Sequence, residues 1–374
     1  MNQKLKKIID NFQVRGQLIS IEENAQGNIN STYLLSFKDG DSTSKYLLQK
    51  INSYVFKEPY LVMKNIEAVT SHVRDKMDNE HKTLSFVRTI NDDLMYTHTN
   101  SDGEKEYYRM YEYIDGCISY NTFEDCDNPE NVAYYAGKCF GLFHKLLNDF
   151  PANLLAETIP DFHNTPKRFK DLLAAIENGV TNRAFECSEE IVYLISKIKE
   201  YSIIWNSLSR AIPLRVTHND TKLNNILMNA TTSEGVAVID LDTIMPGSVL
   251  FDIGDGIRSA CSNCFEDEVD EDKIFLNLEL TKAYLKGYLE EMATYLTPSE
   301  INLIGLSICV LTYELTLRFL TDYINNDVYF KVKYKTHNYD RFRNQFLLLR
   351  DVEAKVGEIN KFVKAMYKKL QSTT

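Results

Sequence analysis

Between residues 218 and 240 the chain carries side chains whose types and spacing suit the movement of a phosphoryl group. His218-Asn-Asp220-Thr-Lys222-Leu-Asn-Asn225 reads H-x-D-x-K-x-x-N, and after a short hairpin Val238-Ile-Asp240 sets a second carboxylate at the end of an apolar strand. Phosphoryl transfer asks little covalent chemistry of a protein. It needs a carboxylate to orient a hydroxyl and take its proton, and oxygen ligands that hold Mg2+ against the phosphates. Asp220 is the expected base, and Asn225 with Asp240 are the expected Mg2+ ligands. Lys222, two residues after the base, is expected beside the γ-phosphate of ATP, where it would offset developing charge. His218 is expected to pack and hydrogen-bond within the loop, since the chemistry already has a base. The bland alternative is a polar hairpin whose Asp and Asn cap turns. A second Asp at a strand end, where a metal ligand is wanted, argues against it.

These residues need a frame. Period-two patterns predict strands over 17–22, 32–37, 45–51, 84–90 and 107–113, with one helix over 59–77. That combination predicts an antiparallel sheet with a helix laid on it over residues 1–115. Asp115-Gly116 breaks the pattern, so a hinge is expected about 110–116. Residues 116–374 are dominated by helical periodicity, most hydrophobic over 301–323, with one island of strand character around the 218–240 segment. The fold class expected is α+β with two lobes.

Bulk properties agree. A chain of 374 residues suits two packed units of roughly 100–200 residues each. Its 44% hydrophobic and 25% charged residues are those of a globular protein. A net charge of -11 argues against a broad nucleic-acid surface, which needs clustered Lys and Arg. No apolar run is expected to reach the ~20 residues of a membrane span, and the Lys-rich start lacks the apolar stretch of a secretory signal. Seven scattered cysteines suit a reducing cytoplasm, and Cys261-Ser-Asn-Cys264 is expected to be two buried thiols rather than a metal site. The expected partners are ATP and a small molecule, with no obligate protein partner.

The segment from Thr217 to Arg258 resembles the aminoglycoside phosphotransferase and choline kinase superfamily, whose members share the protein-kinase fold. More narrowly, His218-Asn-Asp-Thr-Lys-Leu-Asn-Asn225, Val238-Ile-Asp-Leu-Asp-Thr-Ile-Met-Pro-Gly247 and Phe251-Asp-Ile-Gly-Asp-Gly-Ile-Arg258 are similar to the N-acetylhexosamine 1-kinases. Glu314 to Tyr323 and Asp327-Val-Tyr-Phe330 resemble a helical segment of those sugar kinases, and Tyr113-Ile-Asp-Gly116 resembles their interlobe hinge. The resemblance implies a bilobal kinase-like fold, ATP as phosphoryl donor, and the anomeric hydroxyl of an N-acetylhexosamine as acceptor. It implies the same roles for Asp220, Asn225 and Asp240, and a sugar pocket lined by Arg318 and Tyr329. Asp242 is expected either to bond a sugar hydroxyl, to support the metal from behind, or to cap its turn. Asp252 is expected to brace the catalytic loop through backbone N–H groups.

On the nucleotide side, Gln26-Gly-Asn-Ile-Asn-Ser-Thr32 stands where kinases carry a Gly-rich loop, with one glycine; its backbone N–H groups and Ser31 or Thr32 are expected to cradle phosphate. On the strand Tyr46-Leu-Leu-Gln-Lys-Ile51, alternation lets only one of Gln49 and Lys50 face the cleft. Charge favours Lys50, whereas alignment with related strands favours Gln49. Glu67 is the candidate ion-pair partner on the helix, and backbone groups of Glu112 to Ile114 are expected to hold adenine.

Three other readings compete. An aminoglycoside, choline or other amino-alcohol acceptor would use the same base and metal ligands but needs a carboxylate-lined pocket. An inactive ATP-binding module would suit the thin glycine loop, though not the intact Asp220, Asn225 and Asp240. A sulfatase needs a Cys or Ser opening a C/S-x-P-x-R motif, which no cysteine here does.

Overall fold

The computed structural model describes residues 3–24, 30–78, 80–179 and 182–372. Helix α1 (Gln3–Ile9) precedes strands β1 (Gln17–Asn24), β2 (Ser31–Asp39) and β3 (Ser42–Ile51), helix α2 (Pro59–Arg74), and strands β4 (Phe86–Val87), β5 (Tyr96–Thr99) and β6 (Lys105–Glu112). The strands form one antiparallel sheet in the order β1-β2-β3-β6-β4, with β5 sharing the far edge of β6. The strand expected over 84–90 contracts to two residues. Tyr96–Thr99 was not foreseen, because its Tyr-Thr-His-Thr sequence has no apolar alternation and is held by pairing with β6.

Alternation sorts this sheet into two faces. Leu35, Phe37, Leu48, Tyr108 and Met110 pack under the amphipathic α1 through Leu5, Ile8 and Ile9. Ile51 and Tyr111 point the other way, into a core shared with α2 and with the helical lobe. One face of the sheet is thus capped by its own helix and the other faces the cleft.

The second lobe begins at β7 (Cys117–Ile118) and continues through α3 (Pro129–Leu146), α4 (Thr165–Asn178), α5 (Arg183–Glu186), α6 (Ser188–Tyr201) and α7 (Ile203–Ser207). Four short strands follow, β8 (Arg215–Thr217), β9 (Ile226–Asn229), β10 (Gly235–Val238) and β11 (Met245–Gly247), then α8 (Val249–Ala260), α9 (Leu278–Met292), α10 (Pro298–Ile324) and α11 (His337–Gln371). Close packing of α3 on α9 depends on glycine. A Cβ at Gly137 would lie 1.9 Å from the Tyr284 carbonyl oxygen, and one at Gly287 2.0 Å from that of Tyr134. Helix α10 starts at a capping box between Thr297 and Glu300. By length and composition it could cross a membrane, contrary to the expectation that no apolar run is that long. Yet 83% of its most apolar stretch is buried inside the fold, as a central core helix would be.

Candidate active site

The turn after β8 is shaped by its backbone partners. Asp252 on α8 is buried, and its two carboxylate oxygens accept the N–H groups of His218 at 2.6 Å and Asn219 at 2.7 Å. His144 of α3 holds the same carboxylate at 2.8 Å. Asn219 adopts a left-handed conformation (φ 66°), which Asn tolerates better than most residues, and its side chain donates to the Thr243 carbonyl at 2.8 Å. His218 lies wholly buried between Phe140 and Phe143; it accepts from the Asp220 N–H at Nδ1 and donates from Nε2 to the Ile239 carbonyl at 2.8 Å. It is a strut joining the loop to the strand that ends at Asp240.

On this support the sequence-predicted residues converge. Lys222 Nζ pairs with Asp220 Oδ1 at 2.8 Å. Asn225 donates its amide to the Asp220 carbonyl at 2.7 Å and to Asp220 Oδ2 at 3.2 Å, and its amide oxygen has no hydrogen-bond partner among the described residues. The Ile239 N–H donates to the Asn225 carbonyl at 2.9 Å, drawing Asp240 alongside. Asp240 itself takes a left-handed backbone (φ 58°). Its side chain has solvent-accessible surface but sits on the cleft floor with protein around it. That enclosure, with repulsion from Asp242 and Asp220 and despite Arg109 and Lys222, pushes its carboxyl up to about 7. A crowd of carboxylates that resists ionisation is what a divalent cation relieves. Among the described residues no three His, Cys, Asp or Glu side chains form a metal cage by themselves. The donor set is one carboxylate and one amide oxygen, which fits a Mg2+ completed by phosphate oxygens and water.

The nucleotide-side residues fare differently. Lys50 does not face the cleft: it lies on the α1 side of the sheet, 2.8 Å from Glu106, because it shares the parity of Leu48. Gln49 faces the cleft instead. Its amide nitrogen donates to Thr32 Oγ1 at 3.1 Å, and its oxygen accepts from Arg109 on β6 at 2.9 and 3.0 Å. Thr32 is buried and Ser31 exposed at the start of β2, while residues 25–29 of the expected phosphate loop lie outside the described residues. Glu67 pairs with Arg88, away from any cleft cation. At the hinge, the Glu112 and Tyr113 N–H groups are taken by the Ser85 and Lys45 carbonyls. The Ile114 N–H has no hydrogen-bond partner among the described residues.

Asp242 is corrected as a sugar ligand. It is 3% exposed, and its carboxylate is held by Arg109 on one oxygen and by Asn30 Nδ2 at 2.7 Å on the other. Both of its oxygens are therefore engaged within the protein, two residues beyond Asp240. Arg318 stacks over Phe330 and, like the 73% exposed Tyr329, is within electrostatic reach of Arg168. Neither lines the large cavity of about 1070 Å³ that opens beside Lys222 and Leu223. That cavity runs between residues 121–130, the end of α8 and the 262–267 loop, where Cys264 of the CxxC is half-buried and Cys261 buried.

Sequence reasoning missed Arg109, Asn30 and the buried trio of His163, Thr165 and Glu314, in which Glu314 accepts from Thr165 Oγ1 at 2.5 Å and pairs with His163 Nδ1 at 2.9 Å. Arg109 left a signal. It falls at the inward parity of Tyr107 and Tyr111, where a charge must have a partner.

A two-lobed α+β fold with a carboxylate, a lysine and an amide on one buttressed turn, facing a second carboxylate across it, defines a phosphotransferase of the protein-kinase-like kind. The chain belongs to the phosphotransferase enzyme family, whose sequence model matches residues 20–292. Solved structures of the same fold include a microcompartment-associated aminopropanol kinase (14% identity, 96% of this chain and 98% of that one, TM-score 0.60). A spectinomycin phosphotransferase in complex with ADP and spectinomycin also matches (12% identity, 95% and 98%, TM-score 0.58). So does the choline kinase of Cryptosporidium parvum Iowa II (13% identity, 94% and 97%, TM-score 0.58).

Proposed function

We propose that this protein transfers the γ-phosphoryl group of Mg-ATP to a hydroxyl of a small acceptor, and that the acceptor is the anomeric hydroxyl of an N-acetylhexosamine. The observation that carries the reaction is the grouping of Asp220, Lys222 and Asn225 on one turn held by Asp252, with Asp240 brought beside it from the end of the next hairpin. Asp220 would orient the acceptor hydroxyl and receive its proton, and Lys222, already at the Asp220 carboxylate, would offset charge on the transferred group. Asn225 and Asp240 would hold Mg2+, which when bound neutralises phosphate charge. The Ile114 N–H would meet adenine, and residues about Ser31 and Thr32 the phosphates.

The sugar reading draws on the motif resemblance and on the cavity beside Lys222. Six amide side chains line it, from Asn121, Asn128, Asn224, Asn263, Asn277 and Gln345, and its aromatic residues are Phe123 and Phe265. Two of its carboxylates, Glu266 and Asp267, are already paired with Arg258 and Lys333. Each of these amides already bonds within the protein, and it is their remaining donor and acceptor capacity that suits a neutral polyol. An amino-alcohol or aminoglycoside acceptor is favoured by a different feature: Asp127 and Glu130, also in the lining, make no ion pair among the described residues. The structurally similar aminopropanol, choline and spectinomycin kinases fit that second reading.

ADP release from Mg-ATP across a panel of sugars and amino-alcohols, with the phosphorylated carbon located by 31P and 1H NMR, separates the two. Phosphate at the anomeric carbon of an N-acetylhexosamine is the expected result. Activity confined to amino-alcohols or aminoglycosides would replace the acceptor and keep the donor chemistry. Absence of turnover with every acceptor would return the protein to a nucleotide-binding role.

A further inference from the structure

Register pairs Gln49 of β3 directly with Arg109 of β6, so the two side chains share the cleft face of the sheet. Arg109 is 1% exposed, and a guanidinium buried that deeply without partners would be costly. Its Nε and Nη2 bind Gln49, and its Nη1 pairs with Asp242, two residues beyond Asp240. The other Asp242 oxygen is held by Asn30, whose own side-chain oxygen accepts the Asn52 N–H at 2.9 Å. The network therefore ties β2, β3 and β6 of one lobe to the turn of the other lobe that carries Asp240. Protein kinases place a lysine on the third strand and a glutamate on the neighbouring helix for the phosphates. Here Lys50 points to the far side of the sheet, Glu67 is engaged by Arg88, and α2 offers Arg109 only the Met63 sulfur at 3.8 Å.

We propose that Arg109 is the positioning cation of this site, standing in for a lysine on β3 and acting through Asp242 to set the Asp240 turn against the metal-bound phosphates. With Asp242 held by Arg109 and Asn30, only Asp240 of the two carboxylates is directed to the cleft. Arg109 is a positioning residue: its contacts are with Gln49, Met63, Asp242 and the ring of Tyr111, 5.1 Å away. The inference rests on the Mg-nucleotide reading above.

The test is calorimetric titration of ADP into the full chain, with and without Mg2+, which needs no acceptor. Partners one shell behind a metal ligand contribute about 10- to 100-fold in metal affinity; Arg109 acts one step further back, through Asp242, so Arg109→Met is expected to weaken Mg-ADP binding by about 10-fold, the low end of that range, and to leave metal-free ADP binding within about twofold. Gln49→Lys combined with Arg109→Met moves the cation one strand over on the same face and is expected to recover part of the Mg-ADP affinity. If Arg109→Met fails to fold, Arg109→Lys gives the reading, with a smaller loss again confined to the Mg2+ arm. Unchanged Mg-ADP binding in the folded variant, or equal losses with and without Mg2+, would overturn the inference and leave Arg109 a packing ion pair. A wild-type protein that binds no Mg-ADP would overturn the donor reading and the inference together.

Discussion

The two faces of the six-stranded sheet hold two ion-pair clusters built from neighbouring residues, and they differ in nearly every consequence. On the α1 face, Glu106 sits among Lys4, Lys50 and Tyr108; burial opposes its ionisation, but those three hydrogen bonds outweigh it and bring the carboxyl down to about 2. Lys50 there is 40% exposed. On the cleft face, the side chains of Arg109 and Asp242 are buried and join the two lobes. Residues 49 and 50 are adjacent in sequence, yet the polar amide enters the cross-lobe network and the lysine does not. Position on the pleat, and not charge, decides which residue can serve the site.

Four measurements would break or sharpen that contrast. The largest effect belongs to neither face: Asp220→Asn removes the proposed proton acceptor while keeping the shape, and turnover is expected to fall by ~10³-fold. Calorimetry of the same variant should find nucleotide binding nearly unchanged, and near-normal turnover would mean that Asp220 is not the base.

Second is Asp252→Ala. It strands the N–H groups of His218 and Asn219 and removes the partner of His144, for a loss of about 3–5 kcal/mol of stability. Urea unfolding monitored by circular dichroism measures it. A loss under about 1 kcal/mol would mean that water replaces the carboxylate.

Third, the Asp240 carboxyl is raised from the ordinary 3.8 to about 7, so between those values the folded state holds a proton that the unfolded state has released. In the absence of metal, this group makes the protein less stable as pH rises through that window. Asp240→Asn removes the penalty. In chelator, the variant is expected to melt higher than wild type at pH 8 and to lose that advantage at pH 4. Equal differences at both pH values would contradict the crowding of carboxylates at the cleft floor.

The smallest effect is expected on the α1 face. Lys50→Ala removes a half-exposed pair worth about 0–1 kcal/mol and leaves Mg-ADP affinity unchanged. A clear fall in that affinity would return Lys50 to the cleft and undo the contrast between the faces.

Local sequence determined the candidate catalytic turn. Asp220, Lys222 and Asn225 lie within six residues and Asp240 ends the next hairpin, so chain connectivity alone brings the first three together and a single β-turn-β excursion adds the fourth. The alternation of β2, β3 and β6 was equally readable, as were the main helices, whose apolar periodicity spans several turns. Parity limited the cleft to one of Gln49 and Lys50, but the choice between them required knowing which face α1 covers. The link from Arg109 to Asp242 spans 133 positions and that from Asn30 to Asp242 spans 212. No periodicity or spacing encodes such pairs, because they exist only once two lobes close on each other and a buried charge must find its partner. The tertiary structure alone decided which cation enters the cleft, and also that the large cavity opens beside Lys222 rather than at Arg318 and Tyr329.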